Sequence, residues 1–394
     1  MEASVMEEVA RQFSQLNDPR RHNRLHPLVS LLTIAVLAVL CNADSWAAVV
    51  RFAQQEGKWL GLFVPLPYGI PSRQTFERVF ALLEPQEVEK CVAGWLQRMN
   101  QWSQGALKQV AIDGKALRHS YRHSWDDSGM AYLVSAFASE NGLVMAQVET
   151  EGKGQELLGI RQLLQQLQLK GCLVSIDALG CQKDIAQKIV EEEGDYCLAV
   201  KENQPTLHRK VSALLDEGML EGFKGWDAQM DQTTHSGHGR IETRTVWVTS
   251  EIQHLGELAR EWPKLAAIAV VESRRTVLGK ESKTTKSRRY YILSRALSAA
   301  QVQQVVRGHW GIENGLHYIL DVSYGEDASR IRRRSATHFS RLRRLTMNML
   351  KKESSVKDSV AGKRERCAWS REYRLQVLAA SLPQQEGRAS IKAG

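Results

Sequence analysis

The sequence predicts an α/β protein with a helical N-terminal region, a mixed core and a β-rich insertion inside that core. Three observations support this prediction. Apolar residues recur at helical spacing within residues 1–105. After Ala106, short apolar runs typical of strands alternate with helical patterns. From about residue 222 to 295, strand-like runs separated by polar, glycine-bearing loops interrupt that alternation.

The N-terminal region, residues 1–105, is predicted to be a helical domain. Its apolar run Leu28–Cys41 is shorter than the roughly 20 residues that a membrane-spanning helix needs, so it predicts a buried helix. A helix capped by Ser72 runs through Leu83, and an amphipathic helix follows over residues 86–99.

The core, residues 106–350, begins with three strand-like runs, and Asn141-Gly142 between the second and third is a strong hairpin signal. The predicted elements are strands at Val110–Asp113, Ala131–Ala138 and Leu143–Thr150, a helix at Gln155–Leu169, a strand at Leu173–Ile176, a helix at Lys183–Glu193, a strand at Tyr196–Val200 and a helix at Pro205–Leu215. This succession is the order of a ribonuclease H-like α/β fold.

The insertion interrupts the core with runs that are typical of strands. Its predicted strands are Ile241–Thr249, Leu265–Glu272 and Arg288–Leu293. A helical pattern resumes at Ser298. Residues 351–394 are predicted to be a basic C-terminal tail, helical in part and without clear domain character.

Composition indicates a soluble globular protein, because 43% of the 394 residues are hydrophobic and 25% are charged. The net charge of +9 favours a polyanionic partner. Six cysteines are scattered without a CxxC pair, which argues against a zinc site or a disulfide framework and fits a reducing cytosol. The acidic start (Glu2, Glu7, Glu8) is unlike a signal peptide, so we expect a cytoplasmic protein without membrane attachment.

Three acidic residues in separate elements are the strongest functional signal. Asp113 ends the apolar run 110–112, Asp177 ends the run 173–176, and Glu313 lies in a helical stretch far downstream. Two carboxylates at strand ends and a third on a helix suit a two-metal phosphoryl-transfer site. Mg²⁺ prefers such oxygen ligands. A strand-terminal Asp alone is often a turn former or a helix cap, but two at neighbouring strand ends would repel each other unless a cation lies between them.

Glu313 has competing neighbours. Bulky Trp310 and Ile312 indicate that this part of its helix packs inward, where an unpaired carboxylate is costly. His317 and Asp321 would share its helical face, and His317 is expected to pack or to form a hydrogen bond rather than to bind a metal. Glu326 and Asp327 are alternative acids nearby.

An arginine-rich run predicts a phosphate-binding surface, because no acidic residue occurs from Ala328 to Lys352. The alternative is a solvated helix face. The predicted DNA contacts are Arg330, Arg332, Arg333, Arg334, Arg341, Arg343 and Arg344, accompanied by Lys351 and Lys352.

Two further segments are weaker candidates for DNA contact. The cluster Thr234–Arg240 is interpreted either as a DNA-contacting loop or as a flexible hairpin. Arg20, Arg21 and Arg24 suggest that the N-terminal helices recognise DNA ends, although the same group also fits a solvated turn.

Several linked motifs resemble the insertion-sequence transposases of the H-repeat-associated group, which are bacterial DDE transposases. The matching segments are Ala111–Lys115, Ile176–Gln182, His309–His317, Leu320–Val322, Glu326-Asp327 and Ile331–Arg333. The resemblance implies a ribonuclease H-like core and a catalytic triad of Asp113, Asp177 and Glu313. It also implies two Mg²⁺ ions held by these acids, with Mn²⁺ as a substitute. Its expected partner is double-stranded DNA, bound by a homo-oligomer at the nucleoid.

The chain departs from a Tyr, Arg, Glu, Lys signature that related families carry around the last acid. Val306, His309 and Leu320 stand at the Tyr, Arg and Lys positions, and Arg307 is a substitute for the missing Arg. These departures leave open whether a hairpin intermediate forms.

Two other functions compete with a transposase. The first is a domesticated DNA-binding or regulatory protein with a silent core, which would not need the intact acidic triad. The second is a tyrosine recombinase, since His338, Arg341 and Tyr373 loosely imitate its catalytic set. That spacing arises easily by chance in an arginine-rich helix.

Overall fold

A computed structural model describes residues 2–22, 24–100, 102, 107–120, 130–150, 152–237, 239–278, 283–332 and 334–382. Within them lies a nine-stranded mixed sheet. Its strands are β1 (Gln109–Ala116), β2 (Tyr132–Ala138), β3 (Leu143–Thr150), β4 (Leu173–Ile176), β5 (Asp195–Val200), β6 (Ala228–Gly237), β7 (Arg240–Thr249), β8 (Ala267–Val277) and β9 (Lys283–Leu293).

Helices precede, flank and follow the sheet. They are α1 (Glu2–Gln12), α2 (Leu28–Leu40), α3 (Trp46–Gln55), α4 (Gly57–Leu60), α5 (Arg73–Leu82), α6 (Pro85–Met99), α7 (Glu156–Leu164), α8 (Lys183–Glu191), α9 (Pro205–Glu221), α10 (Glu257–Glu261), α11 (Ala299–Ile312), α12 (Tyr318–Tyr324), α13 (Arg334–Lys352), α14 (Val360–Trp369) and α15 (Arg371–Ser381). A π-helical turn, Glu313–His317, joins α11 to α12. The predicted mixed α/β class is confirmed.

The sheet runs in the order β3-β2-β1-β4-β5-β9-β8-β7-β6. The strands β1, β4 and β5 are parallel, and each of the other neighbouring pairs is antiparallel. The predicted insertion therefore extends the core sheet, because β9 pairs with β5 from Cys197↔Leu293 to Val200↔Tyr290. Continuous pairing fixes the insertion rigidly relative to the central strands.

The segment Thr234–Arg240 was interpreted as a DNA-contacting loop or a flexible hairpin, and it lies at the tip of an antiparallel hairpin in which Gly237 pairs with Arg240. Residues up to Gly237 belong to β6, and β7 begins at Arg240. His238 lies outside the described residues. Sequence pattern missed β6 because this largely polar strand has no apolar alternation, and mutual backbone pairing with β7 holds it in place.

The N-terminal and C-terminal helices share one apolar core. The buried side of α2, including Ile34 and Leu37, lies in the same cluster as Leu345 of α13 and Val377 of α15. Residues 351–394 were predicted to be a basic tail, helical in part and without clear domain character. Within them, α14 and α15 are helices, and their apolar side chains, including Val377 and Leu378, belong to the helical core. Among the described residues, no helix is long and apolar enough to cross a membrane.

Candidate active site

Asp113 and Asp177 lie at the same level on neighbouring parallel strands. The register pairs Ile112 of β1 with Ile176 of β4, and the residue that follows each isoleucine is an aspartate. Parallel strands are about 4.8 Å apart, which brings the two carboxylates to the edge of the sheet where β4 ends, although β1 continues past Asp113 to Ala116. Asp177 also caps a short turn, since its Oδ1 accepts a hydrogen bond of 3.1 Å from the backbone N–H of Leu179. The capping role therefore coexists with its place beside Asp113.

Glu313 reaches the same edge from the end of α11. A capping box at Ser298 and Gln301 begins this helix. The buried Gln109 amide then ties it to the sheet, donating to Ser175 Oγ (2.8 Å) and to the Val305 carbonyl (2.7 Å). The helix passes so close to β1 that a side chain at Gly308 would collide with Gln109. This close packing fixes the position from which Glu313 projects.

One cavity of about 170 Å³ is lined by all three predicted acids, Asp113, Asp177 and Glu313. Its other polar lining includes Lys201, Arg289, Ser175 and His309. His309 Nδ1 lies 3.3 Å from Ser175 Oγ, and burial lowers the pKa of its imidazole. The cavity thus combines carboxylates with cationic side chains, as a site for a phosphate-bearing substrate would.

Among the described residues, Asp113, Glu313 and His317 form a group of potential metal ligands whose ligand atoms all lie within 4.8 Å of one another. His317 Nδ1 is 3.3 Å from Glu313 Oε2 and 3.6 Å from Asp113 Oδ2. The imidazole is buried, and its Nε2 has no hydrogen-bond partner among the described residues. These contacts agree with the hydrogen-bonding role expected for His317. They also place a nitrogen ligand beside the two carboxylates.

Electrostatics distinguish the acids. Burial raises the pKa of Asp113 to about 6, and the nearby charges of Glu313 and Asp177 act in the same direction, whereas His317 opposes them. The hydrogen bond from His317 lowers the pKa of Glu313. A buried carboxylate whose pKa is raised beside other acids, as at Asp113, is typical of a site that a cation completes, so the donor set fits a divalent metal.

Asp321 was expected on the face of Glu313, but it forms an ion pair with Lys115. Lys115 also lies 3.6 Å from Asp327 Oδ1 and 3.9 Å from Glu326 Oε2. A single lysine near the end of β1 thus holds α12 and the following turn against the sheet. The competing acids Glu326 and Asp327 are therefore engaged outside the cavity.

Three arginines of the predicted phosphate-binding run are buried, which contradicts their assignment to DNA. Arg341, Arg343 and Arg344 are 2%, 2% and 1% exposed. Arg344 Nη1 lies 3.1 Å and Arg343 Nη1 3.6 Å from Glu326 Oε1. Arg341 Nη2 lies 3.3 Å from Glu89 Oε2. Because these guanidinium groups are enclosed and paired with acids, they have no access to a phosphate.

The remaining members of the run have different surroundings. Arg330, Arg332 and Arg334 are exposed, and Arg333 lies outside the described residues. Lys351 donates to the carbonyl oxygens of Gly142 and Gly315, and burial lowers its pKa to about 8. Assignment of Arg330, Arg332 and Arg334 to DNA stays a prediction.

Two other candidate groups serve as structural contacts. Arg20 is 5% exposed and donates to Asp18 and to the His26 carbonyl, so it is not a free DNA contact. Tyr373 is buried and donates to Glu353 at 2.7 Å. A buried, hydrogen-bonded tyrosine lacks the access to DNA that a recombinase nucleophile needs.

Comparison with known proteins identifies the family. Residues 105–350 match the transposase DDE domain, and residues 10–96 match the DDE_Tnp_1-associated family. The chain is 36% identical over 369 residues to "Putative transposase YncI" of Escherichia coli O157:H7, with 93% of each chain covered. It is 33% identical over 358 residues to "H repeat-associated putative transposase YhhI" of Escherichia coli K12, covering 90% of this chain and 93% of that one.

A solved structure also aligns with the chain. It is a piggyBac transposase synaptic complex with hairpin DNA, and the alignment covers 97% of this chain and 79% of that one. The TM-score of 0.37 and the identity of 11% are too low to support a shared fold. The sequence matches alone therefore confirm the resemblance to H-repeat-associated transposases.

Proposed function

The chain belongs to the transposase DDE domain family, and we propose that it cleaves the DNA ends of an insertion element and joins them to target DNA. The observation that carries this proposal is the convergence of Asp113, Asp177 and Glu313 on one cavity. Chain segments separated by 64 and 136 residues supply these acids. Such a convergence is expected of a catalytic centre and is not needed for binding DNA.

Asp113, Asp177 and Glu313 would hold two divalent ions, with Mg²⁺ as the ordinary choice and Mn²⁺ as a substitute. When bound, the ions would activate the attacking water or 3′-hydroxyl and stabilise the leaving oxygen. His317 holds the carboxylate of Glu313 through their 3.3 Å contact and keeps it turned toward Asp113. Lys201 and Arg289 supply positive charge on the cavity wall, where the phosphate would lie.

Five neighbouring strands of the sheet and the helices that connect them support this assignment. The strand order β3-β2-β1-β4-β5, with α7, α8 and α9 in the connections, fits a ribonuclease H-like core. We assign residues 106–350 to this catalytic domain and the helices of residues 1–105 to a domain that assists in recognising element ends. A homo-oligomer would hold two ends together.

Strand cleavage of DNA that carries the element's own ends tests the proposal. Cutting should require Mg²⁺ or Mn²⁺, stop in EDTA and be lost in Asp177→Asn, whose amide oxygen can still accept the Leu179 hydrogen bond. Glu257→Gln is the matched control, because the Glu257 side chain is 92% exposed and does not line the acid cavity. Cutting that continues in EDTA would overturn the metal-dependent mechanism.

Binding to the ends without any cutting would instead support the silent-core alternative. In that case Asp177→Asn and wild-type protein would bind DNA equally, and neither would cleave it. Sedimentation of the protein with and without the DNA ends tests the proposed oligomer in the same samples.

A further inference from the structure

A second cavity, of about 320 Å³, lies beside the acid cavity on the face of the sheet that packs against α11. It is formed by β7, β8, β9 and the exposed side of α11. Arg289, Tyr291, Val306 and Trp310 line both cavities, so the two are adjacent. We call this second cavity the sheet groove.

Strand register assembles the polar lining of the sheet groove. Arg244 of β7 is opposite Ser273 of β8, which is opposite Ser287 of β9. The row two residues farther along contains Glu242, Arg275 and Thr285. Side chains alternate between faces along a strand, so these residues project from the same side. Arg307 of α11 closes the groove.

The sheet groove carries uncompensated positive charge. Its glutamate, Glu242, accepts two hydrogen bonds from Arg244, at 3.0 and 2.8 Å. Over the described ranges, no carboxylate lies within 4.0 Å of Arg275, Arg289 or Arg307. Arg307 contacts the His235 ring instead. Three exposed guanidinium groups are thus available to an anionic partner.

On the opposite face of the same strands, the cations are paired with acids. Arg274, Lys286 and Arg288 all form ion pairs with Glu272, at 3.0, 2.8 and 2.9 Å. Arg288 also pairs with Asp216. Arg274 and Arg275 are adjacent in sequence but project from opposite faces of β8. Arg274 pairs with Glu272, whereas Arg275 has no acid partner among the described residues.

An aromatic side chain stands where the two cavities meet. Trp310 is 48% exposed, and the Arg289 guanidinium lies 4.6 Å from the centre of its ring. An exposed indole with an arginine beside it can stack on a nucleobase. The junction therefore suits a nucleic-acid strand that passes from the groove toward the acids.

We propose that the sheet groove binds the phosphate backbone of the DNA strand whose scissile phosphate enters the acid cavity. This inference rests on the proposed transposase function. Arginines and the hydroxyl groups of Ser273, Thr285 and Ser287 are donors to phosphate oxygens and carry no base readout, so the groove positions DNA without reading its sequence.

Salt titration of DNA binding tests the groove with two groove variants and one control variant. Arg275→Gln and Arg307→Gln each remove one cation from the groove, whereas Arg274→Gln removes a cation from the opposite face of the same strand. The dissociation constant of the full chain for a duplex carrying the element ends is measured over a range of KCl concentrations. Each groove variant should lower the salt slope by about 1 and weaken binding, and Arg274→Gln should leave the slope unchanged.

The same measurement on an unrelated duplex should show equal losses, because backbone contacts are independent of sequence. Slopes that match Arg274→Gln, in variants whose thermal unfolding equals that of wild type, would overturn the groove while leaving the proposed function intact. Wild-type protein that neither binds nor cuts DNA would overturn both the groove and the proposed function.

Discussion

Arginines occupy two contrasting places in this protein, the interior of the helical layer and the surface of the sheet groove. Arg341, Arg343 and Arg344 of α13 are at most 2% exposed and pair with Glu89 or Glu326. The groove arginines Arg275, Arg289 and Arg307 are exposed and, in the ranges that the structure describes, have no acid partner, whereas Arg244 is paired with Glu242. Three members of the densest arginine run in the sequence are therefore structural, whereas the unpaired charge of the sheet groove comes from arginines that are scattered along the chain.

The sequence separation between the buried arginines and their acid partners explains why the run looked unpaired. Glu326 precedes Arg344 by 18 residues and Glu89 precedes Arg341 by 252 residues, so neither acid falls within the acid-free run itself. Absence of acids within a window does not show that a basic run is solvent-exposed or unpaired. Partners are identified only when the tertiary contacts are known.

The largest expected effect is on stability, at the buried cluster of α13. Glu326→Gln removes the carboxylate shared by Arg343 and Arg344 and leaves two buried cations unpaired. We expect the free energy of unfolding to fall by about 3–5 kcal/mol. Urea denaturation followed by circular dichroism measures this loss.

Arg275→Gln is the control for that comparison, since removal of an exposed side chain changes stability by only about ±0.5 kcal/mol. Equal stability of Glu326→Gln and Arg275→Gln would contradict the structural role of the α13 arginines. It would also reopen their assignment to DNA.

The next effect is a pH dependence that only the buried cluster should show. Desolvation of Glu326 opposes ionisation, but Arg344 and Arg343 outweigh it and lower the pKa of this carboxyl from 4.5 to about 2. The stabilisation is therefore fully present above pH 4.5 and is lost as the pH falls toward 2. Wild type and Glu326→Gln, compared by urea denaturation at several pH values, should converge over this range.

A stability difference that stays constant from pH 7 to pH 3 would show that ionised Glu326 is not its source. Arg275→Gln should follow the wild-type pH profile throughout, because Arg275 has no titrating partner among the described residues.

Much of the candidate site was predictable from local pattern. Short apolar runs that end in Asp113 and Asp177 identified two buried strands, and their parallel register then places the aspartates side by side. Bulky Trp310 and Ile312 indicated that the helix near Glu313 packs inward, and Ile312 is buried, whereas Trp310 is 48% exposed. Each inference depends on a few adjacent residues, which is the range over which hydrophobic periodicity carries information.

The arrangement of Glu313, His317 and Asp321 needed the structure. Regular helical spacing predicts all three on one face. A π-helical turn over Glu313–His317 changes this spacing, because the Tyr318 N–H donates to the Glu313 carbonyl five residues earlier. Lys115 then binds Asp321 away from the acids. Such turns are frequent at functional sites, but local sequence pattern does not reveal them.

The sheet groove was equally beyond sequence analysis. Arg244, Arg275 and Arg289 lie on three strands, and Arg307 lies on a helix. Only the pairing of β7, β8 and β9 places them together, and register depends on long-range contacts. The polar strand β6 was missed for the same reason.

A smaller loss of stability is expected at Arg341, which lies one turn before Arg344 on α13. Glu89→Gln removes the nearer acid of Arg341, at 3.3 Å, but Glu149 remains at 3.6 Å. We therefore expect a loss of about 1–3 kcal/mol in the free energy of unfolding, smaller than that of Glu326→Gln. Urea denaturation of the two variants in parallel decides the order, and a larger loss for Glu89→Gln would show that Glu149 does not compensate Arg341.

The smallest expected effect on stability is at Arg334, the first residue of α13. A comparison of Arg334 with Arg344 contrasts an exposed arginine with a buried one in the same helix. Arg334 is exposed, and no carboxylate lies within 4.0 Å of it among the described residues. Arg334→Gln should therefore leave the free energy of unfolding within about ±0.5 kcal/mol of wild type. If Arg334 contacts phosphate as predicted, the salt slope of DNA binding should fall by about 1. Arg344 lies ten residues farther along the same helix. Arg344→Gln should show the reverse pattern, with a marked loss in the free energy of unfolding and no specific change in the salt slope. An unchanged slope in Arg334→Gln would restrict phosphate binding to the sheet groove and to the other exposed members of the run.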